Sequence, residues 1–277
     1  MARAFFAWLR SDLRAALSLG FLLALLLMSL AAPWIAPWSP TAQNIDIPLA
    51  DADAAHPLGT DDLGRDVLSR LIYGTSATLF ASFLAVIIAT VIGVPVGLLA
   101  GFKGGWIDDV ISRIIDALLS FPAIVLAIAV TSALGIGLTN GMIAVGIVFS
   151  PQIARLVRAR ALVVRQELYV DAARCMGASN ARILWRHVLP NAIQPVIVQV
   201  TLLLAGALLA EASLSFLGLG IQPPNPSWGA MLARAYQNME IAPALMYPPG
   251  LAILFTALAF NTLGESLRVA LDPTMKR

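Results

Sequence analysis

Charge is the scarce ingredient of this chain. Only 12% of its 277 residues are Asp, Glu, Lys or Arg, against about 25% in an ordinary soluble domain. With 59% hydrophobic residues, much of the surface must face hydrocarbon instead of water. Cysteine occurs once, as Cys175, which excludes an intrachain disulfide and a thiolate metal cluster built from this chain alone. Histidine occurs only as His56 and His187, which leaves no His-rich zinc site. Lysine occurs only in Phe102-Lys103-Gly104 and Met275-Lys276-Arg277. Neither lies in Gly-x4-Gly-Lys-Ser/Thr, so the sequence holds no ATP-binding phosphate loop. A net charge of +2, scattered among apolar runs, offers nothing to nucleic acid.

Long apolar runs are what the chain has instead. About 20 mostly apolar residues cross a bilayer as a helix. Six stretches qualify: Ala15 to Ile35, Ala77 to Phe102, Ile111 to Leu134, a shorter one from Thr139 to Ala154, Ile193 to Leu219, and Pro248 to Leu267. Gly135-Ile136-Gly137-Leu138 is too short for anything but a turn, so the third and fourth form a helical hairpin. The expected fold is an all-α membrane protein of six transmembrane helices. Of the 18 Lys and Arg residues, all but Arg65, Arg70 and Arg234 fall at the ends or in alternate gaps between spans. Cytoplasmic loops retain positive charge, so both termini are expected in the cytoplasm. The basic start, Arg3 to Arg14 before a Leu/Ala run, also fits a cleaved signal peptide. The run is long, however, and continues to Trp34, which suits the interfacial belt of an anchor.

The expected organisation follows: residues 1–75 as tail, first span and external segment; 76–268 as a five-helix core with a cytoplasmic loop at 155–190; and 269–277 as a cytoplasmic tail. The external segment Ala36 to Ser76 holds Asp46, Asp51, Asp53, Asp61, Asp62 and Asp66. Their spacing matches no EF-hand, and a solvated loop with helix caps is expected, Thr60 or Asp61 capping a short helix through Arg70. A second external loop, Gly220 to Pro249, carries Trp228, Met231, Leu232 and Ala235 at the spacing of a short amphipathic helix.

The cytoplasmic loop is the most informative segment. Tyr169, Ala172, Ala173 and Met176 recur at i, i+3, i+4 and i+7, giving a short helix an apolar face of mostly small residues. Gly177 suits the left-handed position that ends a helix, and Ser179 can cap a second one through His187. A helix, a glycine turn and a helix tied to two spans form an element suited to transmitting motion.

Asp171-Ala172-Ala173-Arg174-Cys175-Met176-Gly177-Ala178, followed by His187-Val188-Leu189-Pro190-Asn191, resembles the EAA loop of ABC importer permeases. Asp171 stands for the usual Glu and His187 for the usual Ile, as in the dipeptide/oligopeptide/nickel branch. His56 through Asp66, Ser120-Phe121-Pro122, Glu211 through Gly218 and Leu271-Asp272-Pro273 are similar to further strings of that branch's C-type subunit. The resemblance covers nearly the whole chain. It implies a multi-pass permease of the bacterial inner membrane, with no ATP site of its own and no cofactor on this chain. It also implies a second, homologous permease, two cytoplasmic ATPases holding ATP and Mg, and an extracytoplasmic substrate-binding protein. The coupling residues would be Tyr169, Asp171, Ala172, Ala173, Met176, Gly177 and Ala178. Di- or oligopeptides are the expected cargo, with nickel chelate, glutathione or haem as alternatives.

Residues within spans complete the picture. Pro122, Glu211, Ser213 and Ser215 are pathway candidates, although a Glu in a span more often bonds neighbouring helices. Asp116 is expected to pair with Arg113, and Glu265 with Arg268, each at i, i+3. Gly93, Gly97 and Gly101 give the second span a smooth packing face. An ion-coupled secondary transporter would need buried carboxylates near the midplane, and Glu211 alone offers one. No metal site and no catalytic residue is expected.

Overall fold

The computed structural model describes residues 12–271, and all its regular elements are helical. The expectations placed on Arg3, Arg10, Asp272, Pro273, Lys276 and Arg277 lie outside the described residues. Helix α1 spans Leu13–Ile35, capped by the Asp12 carboxylate on the N–H groups of Arg14 and Ala15. Helix α2 spans Val67–Lys103, α3 Gly105–Leu119, α4 Ala123–Leu134 and α5 Leu138–Val164. The loop helix α6 is Leu168–Cys175. It is followed by α7 at Asn180–Ile183, a π-helical turn at Leu184–Val188 and α8 at Leu189–Ala192. Helix α9 is Gln194–Phe216, α10 is Trp228–Gln237, and α11 is Tyr247–Leu271. Five helices are long and apolar enough to cross a membrane, and the bent pair α3–α4 supplies a sixth if counted as one span.

The bundle is built around α2 and α5, whose backbones nearly touch. A Cβ on Gly97 would sit 2.4 Å from the Ala154 carbonyl oxygen, and one on Gly93 2.7 Å from that of Ser150. Gly101 meets Ala161 and Arg158, and from α5 Gly146 meets Ala85 and Ile88 in the same way. The predicted small-residue face is therefore the seam of the core, where close approach replaces the hydrophobic drive that lipid cannot supply. Helices α9 and α11 pack beside it, and α1 lies along α11 and α2. The Ser266 hydroxyl near the end of α11, with the backbone of Ala15 and Arg14, holds the Asp12 carboxyl below its ordinary range. The start of α1 and the end of α11 thus meet at one end of the bundle.

Four expectations are corrected. No separate helix lies between residue 60 and Arg70: α2 begins at Val67 with Asp66 as its cap and runs without a break for 37 residues. A boundary at 75/76 therefore cuts through a helix. The third span is not continuous, because Pro122 and the Ser120 turn split it into α3 and α4 at an angle of 96°. The fourth span is longer than its apolar run, since α5 continues through the polar residues to Val164. Asp116 reaches Arg155 of α5 at 4.0 Å and makes no pair with Arg113, while Glu265 and Arg268 do pair, at 3.9 Å.

Nor is the external segment merely a solvated loop. Asp61 accepts the backbone N–H of Leu63 and Arg65 and the Arg65 guanidinium at 2.7 Å, and Arg70 lies 3.4 Å away. Asp66 caps α2 through Ser69 and takes His56 Nδ1 at 3.0 Å, while Trp38 stacks on the His56 ring. Arg65 and Asp66 are buried. Arg70 donates to the carbonyls of Pro40 and Pro224, and Asp62 pairs with Arg234 of α10 at 2.8 Å. Buried charges persist only when paired and bonded. The string His56 to Asp66 meets that condition by folding on itself, and it clasps α10 through Arg234.

Candidate coupling element and transport groove

At the loop end of the bundle, α6 hangs on a few buried anchors. Val170, Ile183 and Val188 are all 0% exposed and join the core. Gly177 adopts φ +79°, a left-handed conformation that costs a residue with a Cβ about 1–2 kcal/mol. Its N–H reaches the Arg174 carbonyl at 2.9 Å, and the Ala178 N–H reaches that of Ala173 at 3.0 Å. These two bonds make the complete Schellman end of a helix. Ser179 then caps α7 through the N–H of Arg182.

The opposite face of α6 is bare. Leu168 is 84% and Met176 88% exposed, and Tyr169 and Ala172 are exposed beside them. Ala173 and Ala178 instead pack inward, so the predicted stripe divides between exposed and anchoring residues. Asp171 forms a local pair with Arg174 at 3.0 Å. Leu168 escaped the sequence reading because the loop's polar flank hid its place, one residue ahead of the stripe. The anchors Val170, Ile183 and Val188 are single valines and isoleucines in a polar stretch and carry no period.

The second helix of the loop differs from the expected one. It does not end at His187 but widens into the π turn and continues to Ala192. Pro190 has no N–H to give the Arg186 carbonyl, and the turn before it is wider by one residue, with Leu189 N–H bonding the Leu184 carbonyl. Asn191 donates its side-chain N–H to the His187 carbonyl at 2.7 Å.

The four pathway candidates fall into two places. Pro122 is exposed at the head of α4. Directly after it, Ala123 and Ile124 line one wall of a groove of about 290 Å³. Val145 and Phe149 of α5 form the floor, and Gly206, Leu209, Ala210 and Ser213 of α9 the other wall. Glu211 and Ser215 point elsewhere. Glu211 is 1% exposed and accepts the Ser215 hydroxyl at 2.7 Å, and Ser215 in turn meets Ser227, the cap of α10. Gly229 and Gly220 press against the same turn, leaving a Cβ no room. Glu211 is thus linked to α10 through Ser215, while Ser213 faces the groove. Trp228 is fully buried there and donates its indole N–H to the Leu71 carbonyl at 3.0 Å.

A bundle of five or six apolar spans that carries a short, exposed loop helix defines a multi-pass membrane protein. The chain belongs to the family of binding-protein-dependent transport system inner membrane components, whose model matches residues 93–277. Residues 3–52 match the N-terminal TM domain of oligopeptide transport permease C. The glutathione transport system permease protein GsiD of Salmonella paratyphi A is 47% identical over 260 residues, covering 93% of this chain and 85% of the relative. That of Shigella flexneri serotype 5b is 48% identical over 259 residues, covering 92% and 85%. Among solved structures, the inward-facing MetNI methionine ABC transporter shares the fold at a TM-score of 0.57 and 22% identity, over 73% of this chain and 96% of that one. An amino acid ABC transporter with histidines gives 0.52 and 22%, over 72% and 92%. The protein is an ABC importer permease of the inner membrane, a transport subunit without its own ATPase site. Membership implies a partner ATPase and a substrate-binding protein.

Proposed function

We propose that this chain forms half of the pathway for a small peptide, glutathione or one like it, and receives its power stroke through α6. The name of its relatives supports glutathione within the peptide class. The proposed complex has a second, homologous permease, two cytoplasmic ATPases holding ATP and Mg, and an extracytoplasmic binding protein, with both termini of this chain in the cytoplasm. Basic residues concentrated at the loop end support that orientation.

One observation carries the coupling role: an eight-residue helix exposes Leu168, Tyr169 and Met176 while Val170 fixes it to the core. An apolar face held rigidly in the open is a surface awaiting a partner. Tyr169, Ala172 and Met176 would sit in an ATPase groove, with Asp171, Ala173, Gly177 and Ala178 setting the shape of the loop. Closure of the ATPases would then swing the element as a rigid body. Ser213 faces the proposed pathway, Pro122 starts the helix that forms one of its walls, and Glu211 and Ser215 hold its external cap.

Gly177→Pro tests the role directly, because proline cannot take φ +79°. The variant should co-purify with its ATPases and partner permease yet import less than about a tenth of the wild-type amount of labelled glutathione. Normal uptake would refute coupling through α6. Wild-type complex that imports a non-peptide nickel chelate and no glutathione would refute the cargo.

A further inference from the structure

The face of α9 that carries Ser213 does not stop at the groove. Pro195, Gln199, Leu202, Gly206, Leu209 and Ser213 recur at alternating steps of four and three, which returns to one face over about five turns. The first three line a second cavity at the loop end of the helix, of about 600 Å³, and the last three line the groove. On α5 the same two spaces are joined by Val145 and Phe149, then Leu156 and Arg160. The two cavities are therefore stations on one track between α5 and α9.

The lower station differs in chemistry. Its polar lining is Arg160 of α5, Gln194 and Gln199 of α9 and Arg268 of α11, and no carboxylate lines it among the described residues. Arg268 has a loose pair with Glu265 at 3.9 Å, and Arg160 has no ion pair among the described residues. Guanidiniums from two helices, flanked by carboxamides over apolar walls, suit a carboxylate, which an Arg fork binds through two parallel bonds.

We infer that this cavity is the cytoplasmic vestibule of the pathway and that it draws in the carboxylates of a small anionic peptide as the peptide leaves. The inference rests on the groove being the pathway proposed above. Both arginines are exposed, so water and salt weaken their hold, which suits an exit that must release its cargo. Arg160 lies just before the coupling loop and Gln194 just after it, so any swing of that loop moves two walls of the vestibule together. An acidic lipid headgroup shares the anionic chemistry, but it would need only the helix ends. Small residues at Gly206 and Ala210 far up the same face fit a track for a solute.

The test uses the whole complex, with binding protein, in phosphatidylcholine vesicles whose ATPases face outward. Gln199→Cys in a Cys175→Ser chain is labelled with anionic and cationic methanethiosulfonates, each rate normalised to that with a free thiol. The anionic reagent should react roughly tenfold faster, and glutathione should slow it. Arg160→Gln with Arg268→Gln should abolish the preference. Equal rates for the two reagents, or a preference that survives the double substitution, would overturn the vestibule. So would a preference that vanishes when phosphatidylglycerol is added, which marks a headgroup as the occupant. ATP-driven release of glutathione enclosed with the binding protein in the same vesicles separates the two readings. Release without charge preference removes only the vestibule, and charge preference without release keeps the vestibule and removes the cargo.

Discussion

Gly97 shows how much one hydrogen atom decides here. The seam between α2 and α5 exists because this residue and Gly93 present no Cβ to the opposing carbonyls. Overpacking a close-fitted contact costs about 1–3 kcal/mol. Gly97→Ala should therefore lower the apparent melting temperature of the detergent-purified protein by several degrees, while Gly250→Ala, with open space around it, should not. Equal melting of the two variants would mean that the helices do not meet there. The spacing of these glycines was legible in the sequence because it repeats within one helix. The roles of Asp61 and Arg65 were less so. Their charges read as solvated, and only the fold shows that they close on each other and on Arg70, with Pro40 and Pro224 supplying carbonyls from distant segments.

At the scale of the element, the coupling loop was the most legible part of the chain, since capping residues announce themselves locally. Gly177 and Ser179 sit where their conformational preferences put them. The π turn left no such mark, because it follows from Pro190 acting on a helix already committed to continue. The split between α3 and α4 was half legible: Pro122 offers a break in the third run, but hydropathy runs straight through Ser120-Phe121-Pro122 and registers length without direction. The loop's rigidity depends on buried anchors. Truncating a buried isoleucine to alanine costs about 2–5 kcal/mol, here concentrated on a hairpin with little other core. Ile183→Ala should speed tryptic cleavage at Arg174 and Arg182 in the ATPase-free protein more than it lowers the melting temperature. Cleavage at the wild-type rate would show that the hairpin does not rely on that anchor.

The whole molecule joins the segment between α1 and α2 to that between α9 and α11 through few bonds, of which Asp62 with Arg234 is the most accessible. Both side chains are nearly a third exposed, so the pair contributes no more than about 1 kcal/mol. Reversal of one charge, Arg234→Asp, should weaken binding-protein docking or uptake severalfold, and Asp62→Arg in the same chain should restore much of it. Failure of the double variant to recover would assign the loss to one side chain instead of the pair. The broad architecture of apolar spans with one long polar loop was readable from hydropathy and charge, and the role proposed for that loop came from its resemblance to the EAA loop. The track along α9 needed the neighbouring helices to show which face is open.

Helix α6, as proposed, seats on a partner ATPase, and the chain carries its own reporter there: the single, exposed Cys175 at the end of that helix. A bulky maleimide should modify Cys175 within minutes in the permease pair stripped of ATPases and at least tenfold more slowly in the assembled complex. Labelling at the same rate in both states would mean that this helix remains in water when the motor is bound, and the coupling account would fail.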